Sequence, residues 1–138
     1  MRYAYATGAM ANGIASEALV EAGAKAGLLS FFGAAGLGPE RVEAAIDRLD
    51  KSLGSLPRGF NLIHSPSEPD LENAVCDLYL RRGVSLVEAS AFMGLTPAIV
   101  RYRLHGFVRG ADGVVSAPDK VPMRRSVTRS PSASNVRR

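Results

Sequence analysis

Short apolar runs alternate along this chain with segments whose apolar residues recur every three or four positions. The runs are Tyr3 to Met10, Leu28 to Gly33, Gly59 to Ile63 and Val84 to Ala91. Between them lie Ser16 to Ala26, Pro39 to Leu53 and Asp70 to Arg82, with Val42, Ala45, Ile46 and Leu49 as the clearest helical stripe. Parallel strands need a long crossover and a helix supplies it, so the alternation predicts βαβ units and a parallel sheet. The punctuation agrees. Gly38-Pro39 sets a proline at a first helical position, Ser67-Glu68-Pro69-Asp70 has the form of a capping box, and Thr96-Pro97 reads as a cap followed by proline. Gly27 and Gly83 fall where left-handed C-caps belong.

Successive strand starts are 25, 31 and 25 residues apart, close to the roughly 30 residues per unit of a (β/α)₈ barrel. Four such units make half a barrel. A short helix from Pro97 to His105 follows, then Phe107-Val108 and Val114-Val115 flanking Ala111-Asp112-Gly113, the pattern of a small hairpin. The predicted fold is therefore α/β, a partial TIM barrel of about four βα units over residues 1–121. An exposed sheet edge would invite homo-oligomerisation. Residues 122–138 are rich in Arg and Ser and are expected to form a disordered basic tail.

Composition adds limits. At 138 residues the chain has the size of one domain, and 46% hydrophobic with 22% charged residues is ordinary for a globular protein. No uncharged stretch exceeds 14 residues, short of the roughly 20 apolar residues a membrane span needs. Gly8, Asn12 and Gly13 interrupt any secretory signal, and the lone Cys76 cannot form an internal disulfide, so a cytoplasmic location is expected. The net charge of +4 is concentrated late, since residues 118–138 hold six Lys or Arg against one Asp. A non-enzymatic nucleic-acid-binding protein acting through that tail is one reading. Without a base-reading scaffold it implies only salt-sensitive, non-specific affinity.

Candidate chemistry lies at the ends of the apolar runs. Gly33-Ala34-Ala35-Gly36-Leu37-Gly38 before a helix resembles a phosphate loop, but it lacks both the GxGxxG order and the P-loop Lys-Ser/Thr, and a compact turn explains it as well. Asn61 and His64 in Phe60-Asn61-Leu62-Ile63-His64-Ser65-Pro66 would stand at the C-terminal mouth where barrel enzymes keep their sites. The Asn61 amide suits a heterocycle and His64 suits proton donation near neutral pH. Glu88, inside the fourth apolar run, is either salt-bridged or a site carboxylate. Cys76 reads as a small core residue, Arg101-Tyr102-Arg103 as a solvated helix face, and His105 as a helix-end cap.

Four ordered segments, Gly8-Ala9-Met10-Ala11-Asn12-Gly13-Ile14-Ala15-Ser16, Phe32 to Leu37, Phe60 to Pro66, and Glu88-Ala89-Ser90-Ala91-Phe92 with Leu95-Thr96-Pro97, resemble the PfaD-type enoyl reductases. These are trans-acting, flavin-dependent partners of polyunsaturated fatty acid and polyketide synthases, related to the 2-nitropropane dioxygenase (nitronate monooxygenase) group. The resemblance covers about residues 3–121. It implies an FMN-containing barrel in which NADPH reduces the flavin and hydride passes to an enoyl group held on an acyl carrier protein. By motif, the backbone at Ala9 and Met10 would lie along the isoalloxazine, Asn61 would hydrogen-bond it, and His64 would face the substrate as the catalytic candidate. A nitronate monooxygenase-like flavoenzyme is the enzyme alternative. The family's flavin-phosphate site belongs to later strands, so a truncated or frame-shifted gene product, with weak or absent flavin binding and no turnover by itself, is expected.

Overall fold

In the computed structural model, which describes residues 1–116 and 121–124, strand and helix alternate as the apolar pattern requires. The order is β1 (Ala6–Thr7), α1 (Glu17–Lys25), β2 (Leu29–Phe32), α2 (Pro39–Leu53), β3 (Gly59–Ile63), α3 (Pro69–Arg81), β4 (Leu86–Ser90) and α4 (Pro97–Leu104). A two-stranded antiparallel hairpin of β5 (Val108–Arg109) and β6 (Val115–Ser116) follows, and then β7 (Val121–Arg124). Strands β1, β2, β3, β4 and β7 lie side by side in that order, every pair parallel. The sheet curls into a half-barrel.

Burial follows the two periods. Val42, Ala45, Ile46, Leu49 and Leu53 of α2 form one buried stripe. Phe60 and Leu62 of β3, Phe32 of β2 and Val87 and Ala89 of β4 pack in the same cluster as the helices. The alternate residues Asn61, Glu88 and Ser90 therefore occupy the other face of the sheet. Rings of Phe32, Phe60 and Tyr79 are 6.0 and 5.8 Å apart in tilted pairs, a geometry that favours edge-to-face attraction. Two buried tyrosines tie helices to the sheet, Tyr79 Oη donating to the Asn61 carbonyl in the middle of β3 at 2.7 Å and Tyr102 Oη to the Val84 carbonyl just before β4 at 2.8 Å.

The differences from expectation are local. β1 has two residues rather than eight, because the backbone leaves the ladder at Gly8 and the Ala9 N–H turns to Glu88 instead. The capping box at Ser67 does not form; α3 is capped by the backbone of Glu68, with Pro69 at its first position. Thr96 is the N-cap residue of α4, but its hydroxyl bonds Glu72 rather than the helix. Gly27 and Gly83 do take positive φ values of 88° and 66° at helix ends. The boundary expected at 121/122 cuts through β7, which pairs Leu86 with Val121 through to Ala89 with Arg124. Pro122 lacks an N–H, and a strand with one neighbour among the described residues tolerates that. The rest of the expected tail, residues 125–138, lies outside the described residues.

Cys76 is fully buried and burial pushes its thiol up from the usual range, the effect expected when an anion would lose its water. The folded chain should therefore resist alkylation at mildly alkaline pH and be labelled only on unfolding, as mass spectrometry across a urea series would read. Tyr79→Phe should cost about 1–3 kcal/mol by orphaning the buried Asn61 carbonyl, seen as a lower urea midpoint at unchanged slope.

Candidate functional site

The C-terminal ends of parallel strands bring their following loops together, and the residues singled out from sequence meet there. Asn61 is only 4% exposed, so its amide must find partners within the chain. Its Nδ2 donates to the Glu88 carbonyl at 3.2 Å and to Ser90 Oγ at 2.6 Å. A carbonyl can only accept, which fixes the amide orientation and leaves Oδ1 without a partner among the described residues.

Glu88 sits opposite Asn61 in the β3–β4 register and is itself buried. Its Oε2 accepts the Ala9 N–H at 2.6 Å, a contact that carries the β1–α1 loop across to the fourth strand. The carboxylate is thus held by a backbone donor, a role that neither reading of Glu88 from sequence specified. Ala9 is half-buried there and Met10 is exposed. The same loop is stitched to the β2–α2 turn by Asn12 N to Ala35 O at 2.7 Å, Gly13 N to Gly33 O at 2.9 Å and Gly33 N to Ala15 O at 3.0 Å.

That stitching explains the glycines. A Cβ on Gly33 would sit 1.6 Å from the Met10 carbonyl oxygen, and one on Gly36, whose φ is 78°, 2.2 Å from Asn12 Oδ1. The Gly33 N–H is already spent on Ala15. The glycine-rich segment is a close backbone crossing, with the Gly33, Ala34 and Leu37 N–H groups bonded within the chain, which favours the compact-turn reading.

His64 extends the β3–β4 ladder by one bond, its N–H donating to the Ser90 carbonyl at 2.9 Å. Its ring stacks on Phe92 with centroids 5.3 Å apart, and Nδ1 lies 2.8 Å from Glu72 Oε2. Phe92 follows Ala91, whose φ of 60° turns the chain sharply after β4. Glu72, in the first turn of α3, is buried and also receives Ser65 N at 3.0 Å and Thr96 Oγ1 at 3.1 Å. Sequence reasoning missed Glu72. The available signal was an acidic residue at a helix start eight positions after a histidine, with a proline turn between them.

Other candidates fall away from this mouth. Tyr102 is fully buried while Arg101 pairs with Asp77 at 2.9 Å, so Arg101-Tyr102-Arg103 is not the solvated helix face expected from the sequence: the ring packs inward and only its neighbours reach outward. His105 is the exposed C-cap residue of α4. A cavity of about 30 Å³ between the β2–α2 and β3–α3 loops has room for about one water, far too little for a flavin ring. A larger one, about 360 Å³, opens at the opposite end of the sheet, where Asp50 and Arg58 are paired and Arg82 binds Glu43 and Asp47. No described helix is long and apolar enough to cross a membrane.

No family model matches the chain. It is 50% identical over 115 residues to a component of the polyunsaturated fatty acid synthase of Thraustochytrium sp., 83% of this chain and 8% of that protein. It is 41% identical over 122 residues to the polyketide biosynthesis protein PksE of Bacillus subtilis, 88% of this chain and 16% of that one. The chain thus spans less than a fifth of these relatives. A solved structure, the enoyl reductase domain of MlnA from the macrolactin biosynthesis cluster of Bacillus amyloliquefaciens, superposes with a TM-score of 0.80 at 32% identity. The match covers 90% of this chain and 28% of that one. Gly33→Ala should force the β1–α1 loop away from β2 and destabilise the fold by about 1–3 kcal/mol, measurable as a shifted urea midpoint.

Proposed function

We propose, for a chain that belongs to the PfaD-type enoyl reductases, that its strand ends supply part of an FMN site serving enoyl reduction in polyunsaturated fatty acid or polyketide biosynthesis. The observation that carries this reading is Asn61. Its buried amide is clamped so that one acceptor, Oδ1, is left for a ligand among the described residues. The isoalloxazine ring has a ring N–H that such an acceptor suits. The residues present match the ring portion of the cofactor in hydrogen-bonding chemistry, while the cavity that Asn61 lines is too small to enclose it. They do not offer a phosphate cradle, since the glycine-rich loop is closed on its own backbone.

Ala9 and Met10 would supply the backbone along which the ring lies, and the Glu88 carboxylate holds that backbone in place through the Ala9 N–H. When bound, the flavin would carry hydride from NADPH to the enoyl double bond, and the protein's share is orientation and electrostatics. The saturated product also gains a proton. His64 in its imidazolium form is the group to deliver it, because Glu72 accepts from Nδ1 and leaves Nε2–H to meet a ligand. An enoyl thioester on an acyl carrier protein of a synthase complex is the substrate form this reading takes.

Titration of the full chain with FMN, followed by flavin fluorescence and sedimentation, tests the reading. Weak saturable binding is expected, reduced about tenfold by Asn61→Leu, the equivalent of about 1.4 kcal/mol. Absence of saturable binding, or identical affinity for Asn61→Leu, overturns it.

A further inference from the structure

We infer that Glu72 is a positioning residue that fixes His64 in the tautomer with its proton on Nδ1, so that Nε2 is the nitrogen presented to a ligand; the value of this rests on His64 belonging to the site proposed above. The argument is one of hydrogen-bond counting. Glu72 is buried in the first turn of α3, and as a carboxylate it can only accept. Its Oε2 receives the Ser65 N–H at 3.0 Å, and its Oε1 receives the Thr96 hydroxyl at 3.1 Å. The His64 Nδ1, 2.8 Å from Oε2, must therefore donate as well. A helix start favours negative charge, which keeps this acceptor in place.

The ring has little freedom to escape this contact. Its backbone N–H is held by the Ser90 carbonyl at 2.9 Å and its face lies on Phe92. Fixing one ring nitrogen by a second group is how proteins choose which nitrogen does chemistry. In this arrangement Glu72 acts through His64. A purely structural role, tying α3 and α4 through Thr96, would leave the tautomer to the ring's own preference for a proton on Nε2.

The test is the two-bond ¹H–¹⁵N spectrum of the imidazoles in the ¹⁵N-labelled full chain at mildly alkaline pH, with His105→Gln to assign the signals. The wild type should show a pyrrole-like Nδ1 and a pyridine-like Nε2 for His64. In Glu72→Ala the two nitrogen shifts should exchange places, whereas Glu72→Gln, whose amide oxygen still accepts, should keep the wild-type pattern. Thr96→Val should lower the urea midpoint without moving the tautomer. A wild-type His64 protonated on Nε2 overturns the inference, as does a folded Glu72→Ala with an unchanged pattern; should Glu72→Ala fail to fold, the wild-type and Glu72→Gln spectra decide. The spectrum needs no flavin, so a chain that shows the Nδ1 tautomer but binds no FMN refutes the functional reading alone.

Discussion

Polar side chains on strands that are buried on both faces have no water to turn to, and β3 and β4 carry two of them side by side. Asn61 and Glu88 face each other across the ladder, each less than a tenth exposed. An unpaired amide or carboxylate in such a place would cost several kcal/mol, so each reaches for partners. Asn61 takes the Glu88 carbonyl and the Ser90 hydroxyl, and Glu88 takes the Ala9 N–H from the first strand's loop. That last contact spans 79 positions of sequence and sets where the β1–α1 loop lies.

The backbone around it is shaped to suit. With the loop drawn inward at Ala9, the Met10 carbonyl comes so near β2 that only glycine fits at position 33. Asn12 adopts a φ of 54°, which asparagine tolerates better than most residues, and its side chain in turn excludes a Cβ at Gly36. Two glycines that look like a phosphate loop in the sequence are thus consequences of a carboxylate on another strand. Glycine clusters record close approach, and the sequence does not say whether a ligand or the chain itself approaches.

The same distinction decides what could be read in advance. Helices and strands follow periods of 3.6 and 2, so α2 and β3 were legible to the residue, and Asn61 and His64 stood out as polar groups closing an apolar run. β7 was not legible, because Pro122 and Arg124 are the residues that also mark an unstructured tail and its pairing depends on the free edge of β4. Nor was the first strand's early end, which depends on Glu88. Glu72 was hidden for a different reason. An acidic residue in a helix's first turn is common on dipole grounds, and only the fold shows that it faces a histidine.

Helix α3 connects these parts. Glu72 and Tyr79 are seven residues apart, two turns along one face, and both reach β3 or the residue that follows it. Tyr79 holds the Asn61 carbonyl while Glu72 holds the His64 ring, so one helix face sets both candidate ligands. Ser90 does the same from the other side, its hydroxyl receiving the Asn61 amide and its carbonyl the His64 N–H. Residues that share a rigid support do not respond independently. A shift of α3 against the sheet would therefore move the acceptor at Asn61 and the imidazole together, which makes the spacing between them, more than either group alone, the quantity the fold holds constant.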